Sequence, residues 1–367
     1  MRLNTIPTPG QKRPGLDFSQ LTVGLPGRIS FLSPARLALI TDAWFPQVNG
    51  VVHTLSMVNK HLSDMGYQIL VIHPGLFQTF PLPGYKEIRL SLLPSRRLVK
   101  MLQAFQPDRI HIATEGTLGQ AARRYCLKND LRFTTAYHTK FPEYINIRTK
   151  LPLRAGYAMM RRFHAKAAGV MVATESLREE LQRYGFDNLT LWNRGVDVKM
   201  FRPDHSVRLP YPEPVMVYVG RVAPEKNLEA FLKLDLPGTK VIVGDGPIRK
   251  RLMRQYPQAV FPGYKSGPEL AAFYIGAQVM VFPSLTDTFG LVLLEANACG
   301  TPVAAFPVTG PRDIIRPGIN GVVDWDLKKA IKQALLVDAA SCRELALTYS
   351  WEVCAEKFSD ALVSIHG

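Results

Sequence analysis

The chain has 367 residues, 47% of them hydrophobic, which is ample for two ordinary cores and excludes a disordered protein. The four cysteines, Cys126, Cys299, Cys342 and Cys354, show neither paired nor metal-ligand spacing, so they read as ordinary thiols in a reducing compartment rather than a disulfide framework. No uninterrupted apolar run approaches a bilayer span, and the formal net charge of +15 is the strongest bias of the composition.

In chain order, Gly, Pro, Arg28 and Arg36 interrupt the N-terminal stretch, so residues 1–34 read as an extension and not as a signal peptide. A strand is expected at 36–41, then a loop from Asp42 to Gly50. Val52, Leu55, Val58, Leu62 and Met65 follow at helical spacing, with Gly66 as the stop. Further strands are expected at 69–72, 109–113, 133–137 and 170–173. Pro203, Pro210, Pro212 and Pro214 crowd a seam at 193–214. The second half opens with a strand at 215–219 and continues with strands near 240–243, 278–282 and 302–305, separated by helical runs. Ser350 caps a last helix that runs toward His366. Alternating strands and helices predict an α/β chain of two doubly wound parallel sheets, each covered by helices on both faces. The expected division is residues 35–206, residues 207–348 and a terminal segment, 349–367.

The charge is unevenly divided. Residues 1–206 hold 28 Lys and Arg against 14 Asp and Glu, whereas the remainder is nearly balanced. Between Glu143 and Glu175 no acid occurs, while Arg148, Lys150, Arg154, Arg161, Arg162 and Lys166 alternate with Leu151, Leu153, Tyr157, Met159, Met160 and Phe163. Such a stretch suits either an anionic bilayer surface or a solvated basic helix with one core-facing stripe. Despite a pI near 9.7, no helix-turn-helix, RNA-binding or zinc pattern is present, so nucleic acid is not an expected partner.

The most informative segment is 283–303. It follows an apolar strand-like run, Val279-Met280-Val281-Phe282, and turns through Thr286-Asp287-Thr288-Phe289-Gly290 into Leu291-Val292-Leu293-Leu294-Glu295. Strand, turn and helix in that order put a helix N-terminus at the carboxyl end of a sheet, where free N–H groups and the dipole favour an anion. Two carboxylates eight residues apart, Asp287 and Glu295, suit a ligand carrying hydroxyls as well as phosphate. Upstream, Gly220-Arg221-Val222-Ala223-Pro224-Glu225-Lys226-Asn227 directly follows the first strand of the second half. Arg221 and Lys226 can converge there on one phosphate, although a simple charged turn with Glu225 is the alternative. In the first half, Gly50 precedes a helix N-terminus, and His138 stands at the carboxyl end of a strand, where ligands of open α/β sheets bind.

Segment 283–303 resembles the signature of retaining glycosyltransferases of family 4, which have the GT-B fold, with Asp287 where the family commonly has Glu. The likeness extends from residue 36 to about 365. It implies a role for each matching residue. Asp287 contacts the transferred sugar, Glu295 binds ribose hydroxyls, and the backbone at Thr288, Phe289, Gly290, Leu291 and Val292 reaches the diphosphate. Arg221 and Lys226 neutralise that diphosphate, Gly50 and Val51 face it across the cleft, and His138 approaches the sugar. Gly246, in Gly244-Asp245-Gly246-Pro247, lines the donor cleft, and Tyr264 with Lys265 lies near the base. The terminal helix crosses back onto the first domain, and no metal or other cofactor is required. Asp324-Trp325-Asp326 is not a metal motif on this reading, because Asp326 is placed to cap a helix. The loop 44–52 and the segment 83–90 resemble bacterial lipid-directed members. That resemblance implies transfer from a nucleotide sugar, UDP-glucose or UDP-glucuronate first, to a lipid acceptor such as diacylglycerol. Arg148, Lys150, Arg154, Arg161 and Arg162 would then meet acceptor or anionic membrane, with the enzyme peripheral on the cytoplasmic face of the cell membrane. A GDP-mannose-dependent mannosyltransferase or a polysaccharide-assembly transferase is the enzymatic alternative. A silent membrane scaffold is opposed by the presence together of Arg221, Lys226, Asp287 and Glu295.

Overall fold

The computed structural model describes residues 34–47, 49–82 and 85–366, with the side chains at 82, 85–88, 147 and 148 excepted. Residues 1–33 of the expected extension, Val48, Pro83, Gly84 and the Arg148 side chain therefore lie outside the described residues.

In the first lobe β1 (Arg36–Ile40) is apolar on both faces and buried from Leu37 onward, as a strand covered by helices on either side must be. Asn49 caps α1 (Gly50–Asp64), which turns Val52, Leu55, Val58 and Leu62 into the core. Met65, expected on that stripe, follows the last turn and is 47% exposed. The chain continues through β2 (Gln68–Ile72), β3 (Thr79–Leu82), β4 (Tyr85–Ser91), α2 (Ser95–Phe105), β5 (Arg109–Ile112) and α3 (Thr117–Lys128). Then come β6 (Thr134–Tyr137), α4 (Phe141–Thr149), α5 (Leu153–His164), β7 (Gly169–Val172), α6 (Glu175–Arg183) and β8 (Leu189–Leu191). Six of these strands form a parallel sheet in the order β2-β1-β5-β6-β7-β8. β3 and β4 stand apart as an antiparallel hairpin that the sequence reading did not foresee. Pro81 argues against a strand there, but the ribbon is two-stranded, so a residue without an N–H is tolerated on its open edge.

The second lobe comprises β9 (Val215–Val219), α7 (Leu228–Leu232), β10 (Thr239–Val243), α8 (Arg249–Gln255), β11 (Val260–Gly263), α9 (Gly267–Ile275) and β12 (Val279–Phe282). It is completed by α10 (Leu291–Ala298), β13 (Val303–Ala305), α11 (Pro311–Ile314), β14 (Gly321–Val323), α12 (Leu327–Ala334) and α13 (Ala339–Leu347). Its parallel sheet runs β11-β10-β9-β12-β13-β14. The Asp326 carboxylate accepts from Lys329 N at 3.1 Å at the start of α12, so this residue is the helix cap expected of it. All four cysteines are buried and unpaired.

The final helix α14 (Trp351–Ala361) starts at Ser350, whose Oγ accepts from Val353 N at 3.2 Å. It buries Trp351, Cys354, Ala355 and Phe358 in one cluster with Leu37, Leu39, Leu55 and Trp192, so it closes the first lobe's core from the far end of the chain. The Phe358 ring lies 4.8 Å from both Trp192 and His111, and Trp192 Nε1 donates to the Cys354 carbonyl at 3.1 Å.

Because Phe358 fills the space between β5 and the interlobe segment, Phe358→Ala should destabilise the protein by about 3–5 kcal/mol, read as a lowered urea midpoint with unchanged m-value.

Candidate functional site

The second sheet grows outward from β9 in two directions, first to β10 and β11, then to β12, β13 and β14. The loops leaving β9 and β12 therefore diverge, and the crevice between their carboxyl ends is where open α/β sheets hold ligands. Both segments singled out in the sequence leave those two strands. Asn227 Nδ2 donates to the Pro283 carbonyl at 3.2 Å, and Thr286 Oγ1 to the Glu225 carbonyl at 3.4 Å, so the loops are stitched together.

Lys226 is the centre of this seam. Its Nζ donates to Asp287 Oδ1 at 2.7 Å and Oδ2 at 2.8 Å, with the Phe282 ring 6.0 Å away. Burial alone would lower the ammonium's pKa. The Asp287 carboxylate, aided by the Tyr144 and Tyr218 phenols, overrides it and raises the pKa, so Lys226 stays charged. The sequence reading gave Lys226 to phosphate and Asp287 to sugar; in the structure the two hold each other. Arg221 lies 3.9 Å from Glu225, which is buried, so the turn pairing weighed as an alternative is also present.

Gly290 adopts φ +93° and opens α10 without a side-chain cap. The first-turn amides at Leu291 and Val292 thus have no intrahelical acceptors. Phe289 is buried beneath them. Further along, Glu295 accepts from Tyr274 Oη at 2.8 Å, and burial raises its carboxyl to about 7, against the lowering effect of that bond. Gly246 lies where a Cβ would meet the Val222 carbonyl at 2.4 Å, so a larger residue would push apart the loops after β9 and β10. Tyr264 is exposed, and Lys265 Nζ is 3.5 Å from Glu269.

The first lobe closes on these groups at several points. Thr288 Oγ1 donates to the His138 carbonyl at 2.8 Å, which brings the signature turn against the end of β6. Tyr144, from α4, lies within electrostatic reach of Lys226, Asp287 and Glu225, and burial raises its phenol. Lys140 Nζ binds Glu180 at 2.6 Å and Thr309 Oγ1 at 3.2 Å, and Asp313 accepts from Ser176 N at 2.9 Å. A Cβ added to Gly50 would lie 3.6 Å from Leu291 Cδ1, so that glycine sits directly across from α10. The Val51 amide behaves differently from expectation. Asn49 Oδ1 already accepts from it at 3.0 Å, so a diphosphate would have to share that donor.

Sequence reasoning missed three things. Arg194, in the interlobe segment, is only 4% exposed, yet its Nη2 lies 3.4 Å from His138 Nδ1. Its signal was a lone charge between Trp192 and Gly195. Tyr157 lies in the stretch that suited either a bilayer surface or a basic helix with a core-facing stripe; it is buried and donates to Glu143 and to Glu180, the latter at 3.0 Å. Met160 and Phe163 are buried with it, so the apolar members of the stretch serve the core rather than a bilayer. The stripe that α5 turns inward is the core face of the alternative reading. Lys150, Arg154, Arg161 and Arg162 are exposed, as are Leu151 and Met159. Finally, a cavity of about 550 Å³ between the ends of β7 and β8, α11 and α14 touches the signature only through Phe289 and is lined by none of Arg221, Lys226, Asp287 or His138.

Two parallel-sheet lobes with a cationic and carboxylate-bearing crevice at their carboxyl ends define the GT-B class of glycosyltransferases. A sucrose-phosphate synthase from Thermosynechococcus elongatus superposes with a TM-score of 0.72 over 89% of this chain and 98% of its own, at 22% identity. The family model for Glycosyltransferase Family 4 matches residues 48–200, and that for Glycosyl transferases group 1 matches 213–337. A GDP-mannose-dependent alpha-mannosyltransferase of Mycobacterium tuberculosis is 30% identical, covering 90% of this chain and 97% of the relative. An alpha-monoglucosyldiacylglycerol synthase of Streptococcus pneumoniae is 24% identical, covering 88% and 83% respectively. The chain belongs to glycosyltransferase family 4 and is a nucleotide-sugar-dependent glycosyltransferase.

Two outcomes are expected. If Glu295 takes the ribose hydroxyls, as the family resemblance implies, nucleoside diphosphate affinity should rise between about pH 6 and pH 8 in calorimetry, and should rise less in Glu295→Gln, where only the phosphate's own ionisation remains. For stability the sign is opposite. From the ordinary carboxylate range up to about 7 the folded chain holds a proton the unfolded chain has lost, so this group's contribution falls as pH rises through that window. Separately, Asp287→Asn leaves a largely enclosed ammonium without its anion and should lower stability by about 1–3 kcal/mol, with UDP or GDP raising the variant's Tm more than the wild type's.

Proposed function

We propose that the protein is a retaining, metal-independent hexosyltransferase that moves a hexose or hexuronic acid from a nucleotide sugar to a lipid acceptor such as diacylglycerol. It would work from the cytoplasmic face of the cell membrane, as a peripheral enzyme. The observation that carries the chemistry is the stitched crevice in which Lys226, Asp287 and the open N-terminus of α10 meet, opposite His138 and Tyr144. On arrival the donor diphosphate takes Lys226 from Asp287 and draws on Arg221 and the α10 amides. The released Asp287 carboxylate is then available to sugar hydroxyls, and Glu295 to the ribose. The C1–O bond to the leaving phosphate breaks while the acceptor oxygen bonds C1 on the same face. The acceptor's proton passes to the departing phosphate oxygen, so no separate carboxylate base is needed. Electrostatic stabilisation of the leaving diphosphate is the dominant contribution.

The lipid acceptor is supported by the exposed cations Lys150, Arg154, Arg161 and Arg162, with Leu151 and Met159 exposed among them, and by the similarity to a monoglucosyldiacylglycerol synthase. Among the described residues no helix is long and apolar enough to cross a membrane, so attachment would be from the surface. UDP-glucose or UDP-glucuronate is the first donor reading. GDP-mannose is the second, favoured by the mannosyltransferase matched along nearly its whole length.

The test is to incubate purified protein with radiolabelled UDP-glucose, UDP-glucuronate or GDP-mannose and vesicles of diacylglycerol with anionic phospholipid. Label should enter the organic phase with one donor, and label confined to water-soluble sugar defeats the lipid acceptor. Arg221→Ala and Lys226→Ala should each lower kcat by about a hundredfold or more, and near-wild-type rates in both would remove the assigned role.

A further inference from the structure

Arg194 is a guanidinium taken out of water with no carboxylate in ion-pair reach among the described residues. Its Nη1 donates to the carbonyls of Trp192, at 2.5 Å, and Asn193, at 3.2 Å. The guanidinium also lies 3.9 Å from the Trp192 ring centroid. The remaining contact is from Nη2 to His138 Nδ1 at 3.4 Å. A guanidinium only donates, so this contact assigns Nδ1 as the unprotonated nitrogen and places the ring proton on Nε2. That Nε2 is buried and has no protein partner. The same His138 is fixed from two other sides. Its carbonyl accepts from Thr288, and its ring stands edge-on to Trp192, 5.7 Å between centroids. Two nitrogens, one pinned by a fixed cation and one left with an unused proton, make a hydrogen-bond donor of set direction.

We infer that Arg194 is a positioning residue, holding His138 as the neutral Nε2–H tautomer so that this N–H is presented to a hydroxyl of the transferred sugar. The inference rests on the proposed placement of His138 at the sugar. It explains why a buried cation is tolerated in the interlobe segment without a counter-ion. A carboxylate partner would neutralise Arg194 and leave the imidazole free to take a second proton. Burial already pushes His138 well below the ordinary histidine range, and the Arg194 charge adds to this, followed by His111 of β5 and His164 of α5. His111 and His164 are themselves engaged, with their Nδ1 atoms 2.8 Å from Thr134 Oγ1 and 2.9 Å from Thr135 Oγ1. His164 Nε2 also lies 3.2 Å from Glu115 Oε1. Arg194, whose guanidinium pKa burial lowers only to about 10, is the cation that faces the His138 ring nitrogen itself.

Nitrogen-15 NMR of the histidine side chains in wild-type protein, assigned with His138→Gln, reads the tautomer directly and needs no Arg194 variant to fold. His138 should show an unprotonated Nδ1 and a protonated Nε2, unchanged between about pH 6 and pH 8. A protonated Nδ1, or titration inside that range, overturns the assignment. Arg194→Gln should then lower kcat roughly ten- to a hundredfold with little change in donor KM, and should move the acid limb of kcat to higher pH. Arg194→Lys, which restores a charged donor, should recover part of kcat and return the limb. A loss of kcat in Arg194→Gln with the pH profile unmoved would make Arg194 a hinge staple only. The two readings fail separately. Undiminished kcat in His138→Gln defeats the placement of His138 at the sugar, whereas the wrong tautomer in wild type defeats the role of Arg194 alone.

Discussion

An ammonium that is mostly screened from water needs an anion, and Lys226 is such a group. Asp287 supplies that anion through two oxygens. The pairing holds the two loops together, and on the proposed function it is also exchangeable, since a diphosphate would offer the same ammonium more charge than one carboxylate does. The rest of the second lobe follows from keeping these two side chains in register. They belong to loops 61 residues apart, and those loops meet only because β9 and β12 are sheet neighbours at the point where strand order reverses.

The first lobe contributes by approach rather than by charge. Thr288 to His138, Tyr144 beside Lys226 and Asp287, and Lys140 to Thr309 cross between the lobes at the level of the site. The chain's own end stabilises that approach. α14 leaves the second lobe, buries Phe358 against Trp192 and His111, and thereby supports the segment that carries Arg194. The residue that faces His138 is thus anchored by packing supplied from more than 150 positions later, with Trp192 to Cys354 as the recorded bond.

Much of this was legible from local pattern. The strand 215–219 is a run of apolar residues buried on both faces, and such runs admit few alternatives once they are short and bounded by Gly220. Ser350 and Asp326 were legible as caps because capping depends on residues three apart. What was not legible depended on distance. β14 has three residues led by Gly321, too few to show a period, and it exists because β13 offers an edge. The Lys226–Asp287 pair and the contact of Arg194 with His138 are tertiary events between groups whose individual chemistry was visible but whose partners were not.

The α5 helix shows how the same residues answer two questions at once. A basic segment with interspersed apolar side chains fits a membrane surface by composition, yet Tyr157, Met160 and Phe163 are spent on the core, and Tyr157 carries Glu143 and Glu180 on one hydroxyl. Lys150, Arg154, Arg161, Arg162 and Lys166, with Leu151 and Met159, remain exposed in this stretch for an external partner. Attachment built on that remainder would be chiefly electrostatic, because few apolar side chains are left to insert. Such attachment weakens as salt screens it and depends on anionic lipid density. An enzyme held this way can leave the surface between turnovers, and its hold would follow the charge of the lipid around it rather than a fixed anchor.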